Sequence, residues 1–243
     1  MTHPFLQALR RHSAPAWTLW GMCALFALLA MAAGDSLAHG VAEDDKAYFE
    51  QTTGVQLLPF IYLGAKHMVT GYDHLLFLVG VIFFLYRLKD VGAYVTLFAL
   101  GHSVTLLSGV LSDTHINPYL VDTIIAFSVV YKALDNMGAL ERVLGFQPNT
   151  KAAVLVFGLF HGFGLATKLQ ELTLSQDGLV PNILAFNVGV EIGQMLALSA
   201  ILIAMGYWRR SAAFQRQAFG ANGMLMVAGF VLMGYQLTGY ATA

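Results

Sequence analysis

Among the residues with the chemistry of metal ligands that lie within or beside long apolar runs, seven stand out: His67, Asp73, His74, His102, Asp122, His161 and Glu191. Neutral imidazoles beside carboxylates are the donor set of a divalent transition metal rather than of Mg²⁺ or Ca²⁺. An ionised side chain at mid-membrane costs about 2.5–3.5 kcal/mol even on a lenient insertion scale. Asp73, Asp122 and Glu191 each face that cost, yet Lys66, Lys132 and Lys168 stand near the ends of the apolar runs rather than at their centres. Either these acids are protonated, or a cation from outside the chain supplies the positive charge.

Each residue also has a plainer reading. An intramembrane His can simply hydrogen-bond across helices. Asp122 is close enough to the start of its run to cap a helix N-terminus, where a carboxylate is favourable. Asn187, Gln194 and Ser103 read as interhelical hydrogen-bonders or as groups supporting the ligands. His115, in a connection, reads as solvated. The single cysteine, Cys23, excludes both a disulfide framework and a thiolate metal site.

Spacing favours convergence. His67 and His74 are seven residues apart and share a face if their helix is continuous. Asn187, Glu191 and Gln194 form a polar stripe at i, i+4 and i+7. Gly158/Gly162 and Gly189/Gly193 are small-xxx-small pairs that let the helices bearing His161 and Glu191 approach neighbours closely.

The elements that must carry these residues are membrane helices. Of 243 residues, 57% are hydrophobic and only 11% charged, where a soluble domain has about 25% charged. A net charge of -1 gives no reason to expect a nucleic-acid partner. Six hydrophobic segments fall at roughly 57–86, 91–111, 118–136, 151–168, 182–207 and 218–240. The first is long for one straight span, and Thr70-Gly71 in its middle predicts a break. At about 1.5 Å per residue, His74, His102 and His161 lie roughly 15–20 Å from the basic ends of their segments, and Glu191 about 13 Å from the other face. The expected fold is therefore an all-α polytopic transmembrane helical bundle, with six spans in residues 57–243.

Charge orients the bundle. The connections after the first, third and fifth segments carry Arg87 and Lys89, then Arg142 and Lys151, then Arg209, Arg210 and Arg216. The positive-inside rule makes these connections cytoplasmic and places both mature ends outside an inner, plasma-type membrane. Residues 1–38 read either as a secretory signal peptide, with cleavage after Ser36-Leu37-Ala38, or as an uncleaved seventh helix. Cleavage would expose His39 and leave residues 39–56 as a short external acidic segment.

The runs Gly71-Tyr72-Asp73-His74-Leu75-Leu76-Phe77-Leu78, Gly101-His102-Ser103-Val104-Thr105-Leu106, Phe157 to Gly164 and Phe186 to Gln194 resemble the HupE/UreJ family, specifically its second branch. The resemblance covers about residues 57–205. It implies a permease for nickel or cobalt as substrate, with Asp73, His74, His102 and His161 as metal-path residues and Glu191 added from the fifth span. A runner-up reading is an intramembrane zinc-type hydrolase, in which histidines, a carboxylate and a water hold a catalytic ion. A third is a membrane assembly factor whose buried polar residues only fix helix packing. The lipid bilayer is a partner in every case, and a homo-oligomer is left open.

Overall fold

A computed structural model describes residues 48–112, 116–170 and 176–243. The expected signal segment 1–38, His39 and His115 lie outside the described residues, as does most of the acidic stretch. Among the described residues the chain is helical, without strands. In order the helices are α1 (Leu57–Thr70), α2 (Tyr72–Ile82), α3 (Leu88–Leu111), α4 (Pro118–Asn136), α5 (Ala139–Leu144), α6 (Thr150–Gln170), α7 (Leu179–Arg209) and α8 (Phe214–Thr242). The six apolar segments of the sequence are all helical, and the first divides at Gly71 as its composition predicts. The short α5, in a connection, has no counterpart in the sequence reading.

Among the described residues four helices, α3, α6, α7 and α8, are long and apolar enough to cross a membrane by length and composition. The 19-residue α4 is less apolar because it carries Asp122, Lys132 and Asp135. Its start is defined by Pro118 in the first turn and by Asn117, whose side chain accepts from the Tyr119 N–H at 2.9 Å. That cap excludes the capping role considered for Asp122.

Backbones meet closely along two seams, and glycine makes this possible. On the α3–α6 seam an added Cβ at Gly158 would stand 2.5 Å from the Phe98 carbonyl oxygen, and one at Gly162 would collide with that of His102. On the α1–α7 seam a Cβ at Gly193 would stand 2.6 Å from the Ala65 carbonyl oxygen, and one at Gly189 would collide with that of Ile61. The obstructing atoms are backbone, so side chains cannot yield to make room. Both small-xxx-small pairs thus act as the sequence predicts. Thr105 adds a hydrogen bond across the first seam, donating to the Leu159 carbonyl at 2.7 Å.

These contacts also give directions. Gly101 faces Leu155 and Leu159, while Gly109 faces Ala166, so α3 and α6 run parallel. Gly64 faces Phe186 and Gly193 faces Ala65, so α1 and α7 are parallel too. Gly229 faces Val130 and Gly239 faces Tyr119, which makes α4 and α8 antiparallel.

Two apolar clusters fill the bundle. One gathers Phe60, Leu63 and Met68 of α1 with Leu106, Leu165, Phe186 and Val190. The other gathers Phe77, Val81 and Ile82 of α2 with Phe98, Val129, Phe157 and Phe214. Beyond the break at Gly71, α2 contributes Leu78 to the first cluster and Phe77, Val81 and Ile82 to the second. At the far end of α2, the guanidinium of Arg209 donates to the carbonyls of Ile82, Phe83 (3.0 Å) and Leu85 (2.9 Å). A cation there satisfies the last carbonyls of a helix C-terminus and opposes its negative dipole end.

Candidate metal centre

The centre is built on the helix break. Thr70 ends α1, its hydroxyl donating back to the Lys66 carbonyl at 2.8 Å, and Gly71 turns the chain with ψ of 107° before α2 begins. Asp73 and His74 therefore stand in the first turn of α2, deep in the bundle. A Cβ on Gly71 would lie 2.6 Å from His74 Nδ1 and 3.2 Å from Asp73 Oδ1. Glycine here leaves space for the Asp73 and His74 side chains.

Asp73, His74 and His161 form one group. Ligand atoms from the three lie within 4.8 Å of one another, and all three residues are buried. His74 Nδ1 is 3.2 Å from Asp73 Oδ1, and His161 Nδ1 is 3.8 Å from Asp73 Oδ2. The carboxylate thus lies between imidazoles from two helices distant in sequence. His67, on the last turn of α1, places its ring centroid 5.1 Å from that of His74, and His102 on α3 lies at 6.1 Å. Both belong to the histidine neighbourhood, outside the three-residue group.

Ser128 orients His161. Its hydroxyl lies 2.6 Å from the Ile125 carbonyl, which can only accept, so the Ser128 proton points there. The Ser128 oxygen, 3.3 Å from His161 Nε2, then accepts from an Nε2–H. That tautomer leaves the lone pair on Nδ1, the nitrogen facing Asp73. Metal-binding histidines are held in this way, with one ring nitrogen hydrogen-bonded and the other turned to the ion. Around the group stand Phe98, 5.0 Å centroid to centroid from His161 and stacked on His102 at 6.2 Å, and Phe77, 5.4 Å from His161. These rings exclude water and lower the local dielectric.

Other expectations are redistributed. Glu191 is exposed on the outer face of α7 and is not brought into the group, whereas Asn187 and Gln194 of the same stripe are buried. Asn187 donates to the Ile183 carbonyl of its own helix at 3.4 Å. Ser103 is half-buried on α3. Asp122 is buried but lies 3.3 Å from Lys168 Nζ. The sequence argument that the buried acids lack a basic partner is corrected on that point: Lys168, near the end of α6, reaches back to Asp122. Asp73 remains the buried acid whose basic neighbours are imidazoles.

Ser128, beside His161, and Lys168, beside Asp122, are contacts that sequence reasoning left without a role. A hydroxyl inside an apolar span signalled the first. The signal for the second was weak, because a terminal lysine of a membrane helix ordinarily extends toward the interface.

A helical membrane protein with a carboxylate and two imidazoles gathered inside its bundle is the class these features define. The chain belongs to the HupE/UreJ family: the family model described as HupE / UreJ protein matches residues 43–243. No curated protein and no solved structure matches it.

Proposed function

We propose that this membrane protein is a permease for a divalent transition metal, nickel or cobalt, and that Asp73, His74 and His161 bind the ion in transit with His67 and His102 beside them. The observation that carries the reading is the buried Asp73–His74–His161 group at the junction of two half-helices. Discontinuous membrane helices are a recurrent way to build an ion site at mid-membrane, because they bring polar groups into the apolar core at the break. Membership of a family associated with nickel and cobalt handling supports the same substrate class.

The donor set suits transit. Two nitrogens and one carboxylate favour a borderline ion over Mg²⁺, and fewer than four protein ligands leave the ion able to depart. The protein's own contribution is to hold these donors deprotonated and aligned, through the Ser128 contact and the aromatic wall. Asn187 and Gln194 act in packing and hydrogen bonding on α7, and Ser103 supports the helix that carries His102.

Six crossings with both mature ends outside an inner membrane fit this reading. Alternating crossings require the first and fifth spans to run parallel, likewise the second and fourth, and the third and sixth to oppose. The helix directions described above meet all three conditions. An N-terminal signal segment is compatible with an external mature N-terminus.

The test is metal flux. The purified full chain, reconstituted in liposomes, is expected to take up nickel or cobalt in preference to magnesium, and Asp73→Asn is expected to abolish that uptake. An ion that stays bound through purification without any flux would overturn the permease reading in favour of a resident metal.

A further inference from the structure

The α4–α6 seam carries a second charged feature, toward the end of the bundle where α4 begins and α6 ends. The Asp122 side chain is 1% exposed, and that of its partner Lys168, at 3.3 Å, is 18% exposed. The ammonium also stands 5.8 Å over the Tyr119 ring. Beneath the carboxylate lies Gly164, where an added Cβ would be 3.3 Å from Asp122 Oδ1 and 2.6 Å from Ile125 Cδ1.

The pair shares its seam with the centre. His161 is seven residues before Lys168, about 10 Å along α6, and Ser128 is six residues after Asp122, about 9 Å along α4, at 1.5 Å per residue. Gly164, against Asp122, is less than one turn from His161. A carboxylate therefore sits about two turns from the Ser128–His161 contact, between that contact and the nearer end of the bundle.

Stability is a weak explanation for such a pair. A buried ion pair is often no better than well-packed apolar residues of similar volume, because desolvation offsets the attraction. Lysine in particular is a point charge on a flexible stem. Its side chain here is more exposed than that of Asp122, so the ammonium can swing outward while Asp122 stays in place. A divalent ion attracts the carboxylate with twice the charge of the ammonium.

Resting on the permease reading, we propose that Asp122 is a relay carboxylate for the divalent cation passing to or from the Asp73–His74–His161 centre, with Lys168 its resident counterion. The ammonium neutralises Asp122 while no ion is there, leaves it when the ion arrives, and returns when the ion moves on. Lysine and substrate then compete for one carboxylate. Removing either partner should therefore act in opposite directions on apparent affinity.

The test uses the purified full chain in liposomes, with nickel uptake measured over a range of concentrations and melting temperature recorded for each variant. Asp122→Asn is expected to raise the half-saturating nickel concentration several-fold. Lys168→Met, which keeps the apolar stem, is expected to lower it several-fold and to reduce the maximal rate, because the ion lingers. The exchanged pair Asp122→Lys with Lys168→Asp is expected to recover the melting temperature and not the uptake. The relay is overturned if both single variants match the parent, if both weaken uptake in the same direction, or if the exchanged pair restores uptake in full. A parent protein that moves no nickel would instead sink the permease reading on which the relay rests.

Discussion

Ser128 Oγ lies 3.3 Å from His161 Nε2, while the opposite nitrogen of the same ring, Nδ1, faces Asp73 Oδ2 at 3.8 Å. One serine on α4 thus sets the tautomer of a histidine on α6 toward a carboxylate on α2. Loss of such a supporting hydrogen bond typically weakens metal affinity by about 10–100-fold. Ser128→Ala is accordingly expected to retain the fold and to bind nickel about 10–100-fold more weakly by calorimetry. Unchanged affinity would remove Ser128 from the centre.

Asp73 and Glu191 are expected to behave differently despite similar chemistry. Asp73→Asn removes the charge between two imidazoles and should eliminate nickel binding while leaving the melting temperature equal or higher, since a buried charge is neutralised. Glu191→Gln, on the exposed face of α7, should bind nickel as the parent does. Equal loss in both variants would show that Glu191 reaches the ion.

The α3–α6 seam predicts a steric effect. A side chain at Gly162 would strike the His102 carbonyl, and overpacking of this kind costs about 1–3 kcal/mol. Gly162→Ala should lower the melting temperature and, by separating α3 from α6, weaken metal binding. Gly92→Ala, where a Cβ meets nothing within 4 Å, is the control and should be neutral or slightly stabilising.

Arg209 holds the end of α2 through three carbonyls. Hydrogen bonds to a charged group contribute about 1.5–3 kcal/mol, so Arg209→Gln should reduce stability by about that much in a denaturation series. Arg210→Gln, exposed at the next position, should leave stability near the parent value. Similar losses in both would assign the effect to net charge.

Reporter fusions test the crossing pattern. Gly145, in a basic connection, and Ala243 are expected on opposite sides of the membrane. The same side for both would exclude six crossings.

Hydrophobic runs and glycine spacing determined much of this fold without reference to its tertiary structure. Each is a local property of the chain: apolar length makes a membrane helix, the pair Thr70-Gly71 interrupts one, and glycines four residues apart make a face that another helix can approach. The same local chemistry singled out Asp73, His74, His102 and His161 as residues that an apolar setting would not carry without reason. What tertiary structure decided is which polar residues meet. Rotation of α7 against α1, set by the contacts of Gly64, Gly189 and Gly193, buries Asn187 and Gln194 and turns Glu191 outward. The antiparallel passage of α4 beside α6 brings Ser128 to His161 and Lys168 to Asp122. Those meetings depend on the rotation and register of helices distant in sequence, which are fixed by backbone contacts between them and by no periodicity within either one.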